Sequence, residues 1–446
     1  MRRALPVFVL LAVLTAGCAG KLVWQGKTLD RREDVQVLED GRGQRVKIGV
    51  AVGPRYDGIG VDALALGREG THVAYPARRG EAWLVVHDGH EFGPWSGIGE
   101  LAFSPNGARL AFSAERSGRW HVVVDGKLGP GFEAIFAHSL TWNSDGMALG
   151  YAASLAGHVH AVLNQIPGPP LDGVGRLAFA GSHSVYVGRI GAVSFVVLDG
   201  AAQPPAEWIG EIAFSPQQSD SHLHMAYVAG SGDEERIIID GHALEGVGPG
   251  HVSLLHVDEH GAPIFVLASR SLARLVRATE VGPAYAAIPE LVVTPAGRWA
   301  YLAQAGRNRS MRAIVDGVSS APWQWAGNLV ASPDGKRLAY LARRQGRTLV
   351  VHDGGETRAD AVVDGSLVWS RDSRHWACVA GDPETRAIFV SIDGILRRPF
   401  DVREMVFLAE RQSAQLPGGE NRFLQEIVLA ELDLAIASAR TTKQFP

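Results

Sequence analysis

One dipeptide returns along this chain at nearly constant spacing. Asp-Gly closes an apolar run at Asp88, Asp125, Asp199, Asp240, Asp316, Asp353 and Asp393. Neighbouring copies stand about 37–41 residues apart. Two wider gaps of about 75 residues each hold a degenerate copy, ending near Asn164-Gln165 and Arg277-Ala278. Nine repeats follow. A fixed period of 20–50 residues restricts a chain to solenoids, propellers or similar arrays before any element is assigned.

The unit itself narrows the choice. Gly99 to Lys127 reads GELAFSPNGARLAFSAERSGRWHVVVDGK, and Gly327 to Gly354 reads GNLVASPDGKRLAYLARRQGRTLVVHDG. Each gives a short apolar strand, a Ser-Pro-Asn/Asp-Gly turn, a second strand, a polar turn and a third strand ending in Asp-Gly. Continuously apolar runs such as Leu110-Ala111-Phe112 are those of strands covered on both faces. Asn106-Gly107, Asp145-Gly146 and Asp334-Gly335 tolerate the positive φ that a tight turn requires. A fourth strand follows Asp-Gly, as in His90 to Gly99, HEFGPWSGIG. Four short antiparallel strands in a period near 38 residues, with no sustained helical periodicity, describe a propeller blade.

The expected fold class is therefore all-β, a β-propeller of about nine four-stranded repeats spanning residues 44–410. The pattern resembles the TolB-like, WD40-like propeller repeats of bacterial envelope proteins. Leu101 to Gly107 and Val122 to Gly126 carry the resemblance, with weaker copies at Ile212 to Pro216 and Val292 to Gly297. Gln44 to Gly60 reads as the last strands of a blade, and Asp401 to Glu410 as a first strand. Together they suggest a blade shared by the termini, which would remove open edges. Nine units and a shared blade exceed the roughly 4–8 blades usual for propellers. A large ring, two arrays or incomplete units all remain open.

The N-terminus reads as a targeting signal over residues 1–17. Arg2 and Arg3 precede an apolar run too short to span a bilayer. Ala16-Gly17-Cys18 resembles a bacterial lipobox, which implies cleavage between Gly17 and Cys18 and a lipid on the Cys18 thiol. The chain has only two cysteines, so with Cys18 modified, Cys378 has no disulfide partner and reads as core filling. Residues 18–43 are expected to be a polar tether. Membrane attachment through that lipid places the protein in the cell envelope. Ala19 after the cysteine implies the periplasmic face of the outer membrane, if the cell has two membranes. At the other end, residues 417–440 have the spacing of a helix capped by Asn421.

Little in the chain points to chemistry. A net charge of −4 gives no basic surplus for nucleic acid. His158-x-His160 and His222-x-His224 put pairs of rings on one strand face, but no cysteine or carboxylate joins them at ligand spacing, so no metal and no cofactor is expected. His87 and His352 fill the slot before Asp-Gly that Val124 fills elsewhere, and read as scaffold. The seven aspartates recur at one hairpin, where Asp supports a turn by accepting backbone N–H bonds. A catalytic site needs unlike groups converging on one point, and neither a Gly-x-Ser-x-Gly elbow nor a phosphate-binding loop is present. Trp323 and Trp325 alternate in a loop-like stretch, with Trp95, Trp208 and Phe132 at similar places. They suit blade packing, or an exposed binding platform. The expectation is a lipid-anchored scaffold that binds a protein or ligand and is not an enzyme. Its rivals are a glycan- or peptide-processing enzyme acting at the central channel, and a structural subunit docked through the C-terminal helix.

Overall fold

The computed structural model describes residues 35–400, apart from 49–50, 68–71, 217–222, 270, 307–308, 360–361 and 382–387. The signal segment with Gly17 and Cys18, the strand expected at Asp401 to Glu410 and the helix expected over 417–440 lie outside the described residues. Contacts divide the chain into two compact units, Met1–Ile209 and Gly210–Pro446. Among the described residues each unit is a series of antiparallel sheets joined in chain order, and no helix is long and apolar enough to cross a membrane.

In the first unit, one four-stranded sheet runs Gly97–Phe103, Leu110–Arg116, Arg119–Val124 and Lys127–Phe132. Each strand pairs with the next, with Leu110 opposite Phe103 and Ala111 opposite Val124. Ser117-Gly118 and Asp125-Gly126 hold positive φ at both turn residues, the twist that joins antiparallel strands through two residues. The plan repeats, so nine such sheets follow one another between Gly58 and Phe400. In two of them the first strand is split in two, as where Gly58–Ile59 and Ala65–Leu66 both pair with Val73–Arg79. The chain is all-β, and these serial four-stranded sheets are consistent with a β-propeller.

The sheet before these nine departs from the sequence reading in two ways. It begins at Val35, inside the stretch assigned to the tether, with strands Val35–Asp40, Gly43–Ile48 and Ala51–Val52. Val35 and Val37 pack on the core of Val46, Ile48, Tyr56 and Tyr75, an alternation that the charged residues around it obscured. Gly58 and Ile59, assigned to the same blade, instead open the next sheet. The chain has crossed over by then, because Tyr56 makes the last bridge to Gln44 and Asp57 already donates its N–H to the Arg78 carbonyl.

Second strands carry the core. Leu338–Arg344 buries five consecutive residues, Leu338 to Ala342. Its odd and even positions serve different clusters: Leu338, Tyr340 and Ala342 face Leu302 and Trp323, whereas Ala339 and Leu341 face Trp369 and Trp376. Period-two side chains and cover on both faces explain why the sequence here is apolar without alternation. Cys378 takes the place that Phe112 and Tyr340 hold in their repeats. It is fully buried, and burial pushes its thiol up to about 12.

Candidate functional site

The Asp-Gly positions form a repeated clamp. Asp88, Asp125, Asp199, Asp240, Asp316, Asp353 and Asp393 all have φ between 46° and 49°, each followed by a glycine of positive φ. Oδ1 accepts the backbone N–H at the start of the second strand: Val73 to Asp88 at 2.9 Å, Leu110 to Asp125 at 3.1 Å and Trp376 to Asp393 at 3.0 Å. Ser184, Met225 and Trp299 donate in the same way to Asp199, Asp240 and Asp316. Oδ2 meets a basic side chain one residue earlier. That partner is histidine at His183, His224 and His375 and arginine at Arg109 and Arg298. In the Asp353 repeat Arg337 stands 3.7 Å from Oδ2. Of the degenerate copies, Asn164 keeps the amide contact, accepting the Leu149 N–H at 3.0 Å. Ala278 has no side chain to do so, yet holds φ at 54°.

The arginine copies reach further. Arg109 Nη1 donates to the carbonyls of Gly146 and Met147 in the following sheet, Arg298 Nη1 to Lys336 and Arg337 Nη1 to Arg374. These residues fasten turns to neighbouring sheets.

A second polar series was missed in the sequence. Glu211 takes the N–H groups of Leu254 and Leu255 at 3.3 and 2.7 Å, and Glu290 takes those of Asn328 and Leu329 at 3.0 and 2.6 Å. Asn328 in turn accepts the Leu367 N–H at 2.8 Å. Glu100 makes a longer contact of 3.4 Å to Leu140 N–H, and burial pushes its carboxyl above the usual range. Leu254, Leu255, Asn328 and Leu329 lie at register shifts in the middle of the next sheet's first strand, whereas Leu140 and Leu367 stand just before short first-strand segments. The signal was present as Glu followed by an apolar run in Glu100-Leu101, Glu211-Ile212 and Glu290-Leu291.

The tryptophans do not share a face. Trp323 is 4% exposed and still belongs to the preceding sheet, bridged to Met311, with Arg344 over its ring at 4.2 Å. Trp325 opens the next sheet, under Arg343 at 4.5 Å and against the cluster of Ala339 and Leu341. Alternation fails because the chain changes sheets between them. Trp323 instead matches Tyr56, Trp95, Phe132 and Tyr285. Each of the five meets an aromatic ring on the next second strand edge to face, at 5.9–6.4 Å. Trp208 corresponds to Trp325, opening its own strand.

The histidine pairs also separate. His160 Nδ1 lies 2.7 Å from the Gly168 carbonyl while His158 is exposed, His224 belongs to the Asp240 clamp, and His222 lies outside the described residues. His352 Nε2 meets Thr357 Oγ1 at 3.1 Å. His72, His87 and Asp88, by contrast, bring three ligand-type atoms within 4.8 Å of one another. In the first unit a cavity of about 480 Å³ opens beside Arg109, Asp125, Leu128, Trp142 and Met147, with Met147 71% exposed.

No family model and no curated protein matches the chain. Among solved structures, the Dos1 propeller is 12% identical over 71% of this chain and 88% of its own, with a TM-score of 0.30. Prolyl oligopeptidase B from Galerina marginata, bound to a 35mer substrate, is 11% identical over 68% of this chain, with a TM-score of 0.29. The match takes in 56% of that enzyme, little more than half its length. AztD of Citrobacter koseri is 13% identical over 62% of this chain and 91% of its own, with a TM-score of 0.28. At these scores the likenesses carry no functional argument.

Proposed function

We propose that the chain is a lipid-anchored β-propeller scaffold of the bacterial envelope that binds a protein partner and catalyses no reaction. The observation that supports this reading is the engagement of the recurring acids. Glu211 and Glu290 are each taken up by two backbone N–H groups, and the clamp aspartates by a backbone N–H and a basic side chain. An acid tied to the frame in this way is poorly placed to act as a nucleophile or to shuttle protons. What varies between repeats is the exposed residues at and beside the turns, such as Met147 in a turn and Leu128 at the start of a fourth strand, and these suit recognition. The lipobox around Cys18 and the resemblance to TolB-like repeats supply the anchor and the compartment.

The test is in-cell crosslinking and affinity capture of the lipidated protein from membranes, with a Cys18→Ser control. One reproducible envelope partner, lost or released with the soluble variant, is the expected result. A membrane-bound product without a protein partner that turns over glycan or peptide would overturn the proposal in favour of an enzyme.

A further inference from the structure

We propose that His72, His87 and Asp88 form a binding site for a divalent transition cation of the zinc type. The ligand atoms are His72 Nδ1, His87 Nε2 and Asp88 Oδ2. His72 Nδ1 lies 2.5 Å from Asp88 Oδ2, and His87 Nε2 lies 3.4 Å from the same oxygen. All three atoms fall within 4.8 Å of one another. Zinc bonds of about 2.0–2.2 Å place tetrahedral ligand atoms about 3.3–3.6 Å apart. His87 Nε2 already stands at that spacing from Asp88 Oδ2, and the His72 contact must open toward it to admit the cation.

The repeats show why this cluster is more than a clamp. Other clamps pair one histidine or arginine with the aspartate, and the residue before that aspartate is apolar at Val124, Leu198, Ile239, Val315 and Ile392. His352 also takes that slot, but there the clamp partner is Arg337, and His352 is held by Thr357. Among the described residues, only the Asp88 repeat brings two imidazoles to one carboxylate. The second imidazole serves no framework bond, since His87 Nε2 is buried without a hydrogen-bond partner. The carboxylate is also held in place. Asp88 Oδ1 is fixed by the Val73 N–H at 2.9 Å, which leaves Oδ2 turned to the rings. Phe103 packs against both imidazoles, its centroid 6.4 Å from His72 and 5.4 Å from His87. His72 is 38% exposed at the side chain, so a fourth position is open to water or to an incoming ligand. Two neutral imidazoles and one carboxylate suit zinc, whose open sites keep three protein ligands.

The test is titration of the purified full chain with zinc chloride against a chromophoric chelator. The variants come from the protein's own repeats: His87→Val, the residue at Val124, and His72→Arg, the residue at Arg109. Each retains a side chain that the clamp accepts elsewhere. His224→Arg makes the same exchange at Asp240, whose carboxylate meets one imidazole among the described residues. We expect one tight equivalent in the parent, weakened at least 100-fold in the first two variants and unchanged in the third. Zinc X-ray absorption of the unaltered chain should show two imidazoles and one carboxylate oxygen, and it reads the site even if a variant fails to fold. No saturable binding, unaltered affinity in His87→Val, equal loss in His224→Arg, or a different ligand set would each overturn the site.

Discussion

The indole of Trp323 meets the ring of Tyr340 edge to face, with centroids 6.4 Å apart and planes at 73°. Trp323 closes one sheet and Tyr340 lies on the second strand of the next, so the pair works as a lock between successive repeats. Such pairs contribute about 0.5–1.5 kcal/mol beyond the area they bury.

Trp323→Ala should cost about 3–5 kcal/mol, the range for removing a large buried aromatic. Trp323→Tyr, the residue at Tyr285, should cost under about 2 kcal/mol because an edge-to-face partner for Tyr340 remains. Urea unfolding measures both. Equal losses would show that volume matters here and ring geometry does not.

Glu290→Ala leaves the N–H groups of Asn328 and Leu329 without their acceptor and should cost about 1–3 kcal/mol. Glu290→Gln keeps one oxygen and should cost less. Hydrogen exchange at Asn328 and Leu329 should quicken in the alanine variant. Unchanged protection of both amides would refute the clasp.

At Asp125, asparagine should be the mild replacement, because Asn164 holds the same turn with its amide oxygen. Asp125→Asn keeps the Leu110 contact and loses an ion pair with Arg109 that is exposed and worth about 0–1 kcal/mol. Asp125→Ala loses the acceptor and leaves a side chain poorly suited to a φ of 49°. A cost of about 2 kcal/mol is expected. Thermal unfolding that ranks alanine at or above asparagine in stability would contradict the clamp.

Acid should weaken the start of the first unit through Glu91. The Arg79 guanidinium donates two hydrogen bonds to this carboxylate and Tyr56 donates a third, holding Glu91 below its usual 4.5. A depressed folded-state value means that the contribution is present in full above 4.5. It is lost as pH falls below 4.5 through the folded value. Melting between pH 3 and 6 should show the parent losing more than Glu91→Gln. Parallel pH profiles would sink this account.

The repeat was legible because its turns are chemically demanding. Positive φ at two successive residues leaves few choices, so Asp-Gly and Asn164-Gln165 stood out despite the divergence around them. The aromatic locks were half legible: Trp95, Phe132 and Trp323 were seen to recur, but Trp208 was grouped with them although it opens a strand. Trp323 and Trp325 misled because alternation holds only within one strand. Val35–Asp40 was missed because a short strand bordered by charged residues looks like tether until its partner Gly43–Ile48 is known. The Glu211 and Glu290 clasps needed the third dimension, since their partners lie about 40 residues downstream.

The clasps have a bearing on how such a chain grows. Glu290 gives its carboxylate forward to the repeat of Asn328, and Asn328 gives its own amide oxygen forward to Leu367. The repeat of Asn328 thus receives from behind and gives ahead, like a plug that carries its own socket. A gene segment encoding that repeat, copied in frame, therefore brings both halves of the junction with it. The donor side of such a junction is a backbone N–H, so it asks for no particular side chain from the repeat that follows.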